Sequence, residues 1–242
     1  MSAKLKMILF DLDGTLLPMD MDVFTRGYFK LLAKKAAPRG YEAGTLVNAI
    51  WHGTAAMVKN DGSCLNEEAF WKDFTSVFGE AALQDKDLFE DFYANEFREA
   101  RQFCGFNKKA AETVRRIRST GYRVALATNP LFPSVATETR IRWAGLTPGD
   151  FEFFTTYENI GYCKPNPDYY REVLRRVGLE AEDCLMVGND VGEDMIAETL
   201  GMKVFLLTDC LINKENKDIG RYPHGGFDEL KAYVEALGRE EA

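Results

Sequence analysis

Met7-Ile8-Leu9-Phe10-Asp11-Leu12-Asp13-Gly14-Thr15-Leu16 decides the fold, because a short apolar run stops abruptly in two carboxylates two positions apart. In an extended backbone the side chains alternate, so Asp11 and Asp13 are expected on one side with Leu12 turned away. Gly14 permits a tight turn or a close backbone approach to a ligand, and Thr15 adds a hydroxyl and an N–H just beyond it. The same residue types also make ordinary turns after strands. A buried strand that ends in paired acids suits a magnesium or phosphoryl site when matching partners occur at the ends of other strands.

The bulk numbers narrow the field. A chain of 242 residues can bury a good core, as one large domain or as one domain carrying a smaller insertion. With 46% hydrophobic and 28% charged residues and no low-complexity tract, the composition is that of a soluble globular protein. A formal net charge of -8 argues against nucleic acid or an anionic membrane as partner, since both need clustered Lys and Arg. The apolar run after Lys4 and Lys6 is too short for a signal peptide or a membrane span. Five scattered cysteines, odd in number and without a C-x-x-C pair, favour reduced thiols, a cytoplasmic location and no structural zinc. Only two histidines occur, His52 and His224, so a histidine-rich metal centre is not expected. The sequence holds no G-x-S-x-G elbow, no G-x-x-x-x-G-K-[ST] loop and no G-x-G-x-x-G fingerprint, which removes support for a serine hydrolase, a P-loop nucleotidase or a dinucleotide-dependent dehydrogenase.

Between about residues 20 and 100 no strand pattern appears. Leu46, Val47, Ile50, Met57 and Val58 recur at helical spacing, as do Phe70, Phe74, Val77 and Phe78, and then Leu88, Phe89, Phe92, Tyr93 and Phe97. Asn66 before Glu67 and Glu68 reads as an N-cap, and Asp61-Gly62-Ser63 as a turn. From about residue 105 helices and strands alternate: a helix from Lys108 to Ser119, a strand at Val124 to Ala127, an edge or partner strand at Phe151 to Phe154 and a helix from Asp168 to Val177. Then come a strand at Cys184 to Val187, a helix through Met195, Ile196 and Leu200, and a strand at Val204 to Leu207. Alternation of this kind predicts an α/β fold, a Rossmann-like doubly wound parallel sheet with an inserted α-helical cap. The expected division is residues 1–17 and 105–242 as core and 18–104 as cap, with the two connecting segments as hinges. Ligands bind such sheets outside the carboxyl ends of the strands.

Three of those ends carry chemistry. Thr128-Asn129 follows the second core strand, where a hydroxyl and the adjacent N–H can hold one phosphate oxygen, although Thr-Asn-Pro also opens turns. Lys164 lies in Cys163-Lys164-Pro165-Asn166-Pro167, where Pro165 restrains the lysine backbone and Pro167 suits the first turn of a helix. Gly188-Asn189-Asp190-Val191-Gly192-Glu193-Asp194 places two acids four residues apart on an emerging turn, which serves either a metal or a helix cap.

Taken together, D-x-D-G-T-L at Asp11 to Leu16, Thr128, Lys164 and the Asp190/Asp194 pair resemble, in order, the four motifs of the haloacid dehalogenase superfamily. The cap is similar only in size and helical character. The resemblance implies a Rossmann-like core, Mg2+ dependence and phosphoryl transfer through an aspartyl-phosphate, acting on a small phosphorylated metabolite of the sugar phosphate, phosphoglycolate or nucleotide type.

Residue chemistry runs the same way. Asp11 is the candidate nucleophile, and its approach to a phosphate dianion is repelled by about 4 kcal/mol per pair of unit charges at 4 Å and an effective dielectric near 20. Mg2+ held by Asp11, the backbone carbonyl of Asp13 and Asp190, together with Lys164, would offset this repulsion. Formal negative charge on phosphate, Asp11 and Asp190 still exceeds the positive charge on Mg2+ and Lys164 by one, so acid crowding favours a protonated Asp13 able to serve the leaving oxygen. Asp194 is expected to hold a metal-bound water or to orient Lys164. Dehalogenases of the superfamily typically lack the second Asp, so Asp13 favours a phosphatase. A phosphomutase, or a non-catalytic regulator binding a phospho-ligand, is the alternative, and the assembly is expected to be a monomer or small homo-oligomer. His52, Lys59 and Asn60 are cap residues that could face the site, and His224 reads as loop.

Overall fold

The computed structural model describes residues 5–240. Its centre is β1 (Met7–Phe10), buried along its length and paired in parallel with β2 (Arg123–Leu126) on one side and β3 (Cys184–Gly188) on the other. With β4 (Lys203–Leu207) and β5 (His224–Gly225) the order is β2-β1-β3-β4-β5, all parallel. The α/β, Rossmann-like expectation holds. Because β1 lies between β2 and β3, the chain leaves β1 in one direction and returns on the other side, which opens a crevice beside the end of β1.

Alternation along the strands builds two apolar layers. Ile8, Phe10, Val124, Leu126, Leu185 and Val187 join one cluster, which takes in buried residues of α5 (Lys108–Ser119) and α8 (Phe227–Glu240). Met7, Leu9, Ala125, Ala127, Cys184 and Met186 join the other, against Tyr170 and Val173 of α7 (Pro167–Val177). Both faces of the sheet are therefore covered, as a parallel sheet requires. The helix boundaries follow local signals: Asn107 and Asn166 cap α5 and α7, and Gly178 ends α7 at φ +68.

Four helices lie between β1 and α5: α1 (Met21–Ala36), α2 (Ala43–Val58), α3 (Asn66–Phe78) and α4 (Lys86–Ala94). The spacing rule misses α1 as well as α6 (Ser134–Trp143), which follows β2. Met19 bridges Cys104, and the Gly105 N–H donates to the Pro18 carbonyl at 2.7 Å, so the segments entering and leaving this helical region lie side by side. No helix among the described residues is long and apolar enough to cross a membrane. The five cysteines are free thiols.

Several local expectations change. Phe151 to Phe154 is not a full strand; it runs beside β2 with three backbone hydrogen bonds, and Leu126 and Phe154 form a single bridge. Phe97 lies beyond α4, because the chain breaks at Asn95 and continues as 3-10 turns over Glu96–Phe103. Residues Met195–Leu200 also form 3-10 rather than α turns, and His224 belongs to an edge strand rather than a loop.

Asn66 is not the N-cap of α3 but its first residue, and it is wholly buried. Its amide donates to the carbonyls of Pro130 (3.3 Å) and Tyr162 (3.2 Å), and its Oδ1 accepts from Asn60. The opening N–H groups of α3 are met from outside the helix, Asn66 by the Ile160 carbonyl and Glu67 by that of Tyr157. Loop carbonyls thus do the work a capping side chain would do.

The helical region is held together by rings. Phe74 is fully buried among Tyr41, Phe70, Trp71, Phe78 and Phe89, with centroids 4.9 to 6.2 Å from its own. Phe74→Ala is expected to cost about 3–5 kcal/mol in urea unfolding. Val77→Ala, one turn on and exposed, is expected to change stability by less than about 0.5 kcal/mol.

Candidate active site

The strand register brings the site together. Phe10 is level with Leu126 and Val187, so the next residues, Asp11, Ala127 and Gly188, lie at one height at the carboxyl edge of the sheet. Asp11 and Lys164 meet there. The Lys164 Nζ is 3.0 Å from Asp11 Oδ1 and 2.6 Å from Asp194 Oδ1, with the lysine only 2% exposed. Burial alone would lower the lysine's pKa, but the carboxylates of Asp11 and Asp194 outweigh it and hold the ammonium well above its ordinary value. Asp11 is raised too, but here by burial, which pushes its carboxyl up to about 7, opposed by Lys164 and reinforced by Asp194 and Asp13. Its Oδ2 accepts from the Thr15 hydroxyl at 2.9 Å, and the same hydroxyl lies 2.9 Å from Asn189 Oδ1.

Asp194 reaches Lys164 by folding back over the strand end. Its Oδ2 accepts the Asp190 N–H at 3.0 Å, while its own N–H donates to the Asp190 carbonyl, closing the four-residue turn that the spacing predicts. A Cβ on Gly188 would collide with that carboxylate, so only glycine fits at this point of β3. Asp190 Oδ1 accepts from Gly192 N (2.7 Å) and Glu193 N (3.0 Å) and so caps the turn.

Asp13 differs from what a continued strand would give. The strand ends at Phe10, and the Leu12 carbonyl accepts from both Thr15 N and Leu17 N, so the loop curls instead of alternating. Gly14 makes this possible at φ +86, where a side chain would also strike Asn189. The curl carries Asp13 Oδ2 onto the guanidinium of Arg140, a residue of α6 that is 0% exposed. Asp13 Oδ1 is buried and has no hydrogen-bond partner. Arg140 lies over the Phe132 ring at 4.2 Å and completes its contacts with the Ala136 carbonyl and Thr137 Oγ1. Sequence reasoning missed this cation, and the charge count that favours a protonated Asp13 does not include it.

Thr128 is buried, its carbonyl accepting from Thr155 Oγ1 (2.6 Å) and from the Tyr169 hydroxyl (2.8 Å), which fixes the backbone after β2. The Asn129 side chain is a strut, accepting from Lys164 N (3.3 Å) and donating to Glu193 Oε2 (3.1 Å). Glu193, whose carboxyl burial raises, was not foreseen as a neighbour of the site. The three candidates from the helical region separate: His52 and Lys59 are exposed, while Asn60 is buried and bonded to Cys64 O and Asn66. His224 bonds the Tyr222 carbonyl at the sheet edge.

Among the described residues no three His, Cys, Asp or Glu side chains form a ready-made cage for a metal ion. The donors at hand are carboxylates and carbonyls, hard oxygens of the kind Mg2+ takes, and Mg2+ commonly needs only one or two protein carboxylates with waters and substrate oxygens. The donor set therefore fits Mg2+.

The chain is similar along most of its length to curated proteins. It is 29% identical over 224 residues to the glyceraldehyde 3-phosphate phosphatase of Methanothermobacter thermautotrophicus, covering 89% of this chain and 91% of that protein. Phosphoglycolate phosphatase 1 of Pseudomonas aeruginosa is 26% identical over 213 residues, 84% of this chain and 69% of that one. Among solved structures, a 2-haloacid dehalogenase from Pseudomonas syringae superposes with a TM-score of 0.63 at 19% identity, covering 96% and 99% of the two chains, which speaks for the fold alone. The family model for haloacid dehalogenase-like hydrolases matches residues 5–197. The chain belongs to that enzyme family, the haloacid dehalogenase-like hydrolases.

Proposed function

We propose that this protein is a Mg2+-dependent phosphomonoesterase that cleaves a small phosphorylated metabolite through an aspartyl-phosphate on Asp11. The observation that carries the reading is the buried Asp11–Lys164–Asp194 group beside Asp13, whose Oδ1 is buried without a partner. The two curated relatives above are both named as phosphatases. A dehalogenase has no use for the second acid, since a halide leaves without a proton.

An Asp11 carboxylate oxygen attacks phosphorus, a phosphorus–oxygen bond to the organic group breaks, and the departing oxygen takes a proton from Asp13. That proton would sit on Asp13 Oδ1, the oxygen Arg140 leaves free, and once it is given up the guanidinium holds the resulting carboxylate. Water then attacks the phosphorus of the acyl phosphate, returns a proton to Asp13 and frees Asp11 and phosphate. Lys164 neutralises the approach of anion to anion, and Asp194 keeps the ammonium pointed at Asp11. The Thr128 hydroxyl and the Asn129 N–H hold a phosphate oxygen; the engagement of the Asn129 side chain elsewhere leaves that role to its backbone. Asp11, the Asp13 carbonyl and Asp190 would hold Mg2+, which when bound supplies charge compensation and polarises the phosphate. Burial leaves the Asp11 carboxyl near 7, so cations close to it favour the ionised nucleophile. Residues 18–104 serve as cap over a core of 1–17 and 105–242, in a cytoplasmic protein.

Hydrolysis of para-nitrophenyl phosphate with Mg2+ tests this directly. EDTA is expected to abolish turnover, with recovery on adding Mg2+ back, and Asp11→Asn is expected to leave no measurable activity. Turnover that survives Asp11→Asn would rule out the covalent route. Gly188→Ala is expected to lower kcat by roughly a hundredfold with less effect on KM, because its methyl displaces Asp194 from Lys164. Equal kcat in wild type and variant would show that the Asp194 contact is dispensable.

A further inference from the structure

Between α1, α2, α3, α4 and the loop after β2 lies an open-mouthed cleft of about 120 Å³, room for a small organic group. None of the residues lining it carries a charge. Its walls are rings and aliphatic chains, with Phe29, Trp51 and Trp71 on the cap side and Phe132 on the loop side. Some polar atoms of the wall are spent on the protein, the Tyr28 and Tyr93 hydroxyls on each other at 2.7 Å and the Thr54 hydroxyl on the Ile50 carbonyl at 2.8 Å, while Trp71 Nε1 is buried without a partner. Trp51 stands 50% exposed at the rim, edge-on to Phe29 at 5.4 Å, a large apolar surface left open to water.

The chain ties this cleft to the candidate catalytic group. Its wall begins at Leu131, whose N–H donates to the Asn129 carbonyl at 2.9 Å. Phe132 forms wall on one side and packs on the guanidinium of Arg140 on the other, and Arg140 holds Asp13. An uncharged, ring-lined space thus begins at Leu131, just beyond Asn129 of the candidate phosphate site. A glycolate carboxylate in that space would find no cation, whereas an alkyl or aryl group would meet rings and aliphatic chains.

We propose that the cleft binds the organic group of the substrate and selects phosphate monoesters of apolar alcohols, alkyl or aryl, over those of small hydroxy acids and trioses. The proposal rests on the phosphatase reading above and names the substrate class for the same site.

A series of n-alkyl phosphates from ethyl to octyl tests it with the Mg2+-loaded enzyme, with phosphoglycolate and glyceraldehyde 3-phosphate alongside. The expected result is a kcat/KM that rises roughly three- to fourfold per added methylene until the cleft is filled and then levels. In Thr54→Phe, which adds a ring to the wall, the levelling is expected at a shorter chain. A flat or falling series, or a higher kcat/KM for phosphoglycolate or glyceraldehyde 3-phosphate than for hexyl phosphate, overturns the assignment. The same series as n-alkylphosphonates, followed by the fluorescence of Trp51 and Trp71, reads binding without turnover. Affinity that climbs with chain length while no ester is hydrolysed would leave the cleft assignment standing and overturn the phosphatase reading. Affinity indifferent to chain length overturns the cleft assignment.

Discussion

The site depends on placing one ammonium, Lys164, in the interior between two carboxylates. An isolated buried lysine is costly, and an isolated pair of buried carboxylates more so. Each of these groups is tolerable only with the others in place. The rest of the local architecture serves that arrangement: β1 delivers Asp11, β3 ends in a glycine so that Asp194 can fold back, and the loop before α7 brings Lys164 across. One cation cannot neutralise two anions, so a residual negative charge remains, which suits a site that takes a divalent cation together with its substrate.

A second buried cation lies alongside. Arg140 is sealed from water, and its guanidinium is sandwiched between an acid and an aromatic face. Such a group locks the position of Asp13 as firmly as a hydrogen-bonded strand locks Asp11. The site thus has two acids in two different electrostatic settings, one beside an ammonium and one beside a guanidinium. Environments that differ in this way let chemically identical carboxyls take different roles.

What the sequence discloses and what it hides follow from range. The strand-then-acid runs at Asp11 and Asp190 are legible because the signal is local: an apolar run, a turn former and a carboxylate within a few residues. Lys164 is legible through its prolines. Arg140 is not, since nothing within Glu138-Thr139-Arg140-Ile141-Arg142 sets it apart from Arg142, and only the packing of α6 against the loop after β1 buries it. Asn66 misleads for the opposite reason. Its local context is that of a helix cap, and a tertiary use of its amide prevails. The aromatic spacing over residues 46 to 97 shows helices, but not that their rings enclose an open cleft.

The placement of Asn66 has a consequence for motion. Its side chain grips the carbonyl of Pro130, just after Asn129, and that of Tyr162, just before Lys164, and the first two N–H groups of α3 grip two more. Swinging the helical region away from the sheet breaks these four hydrogen bonds. At about 1 kcal/mol each they hold the swung-out form to about one molecule in a thousand. A ligand that had to wait for that form would bind with its apparent affinity reduced by the same factor. The latch thus favours binding that leaves the helices in place.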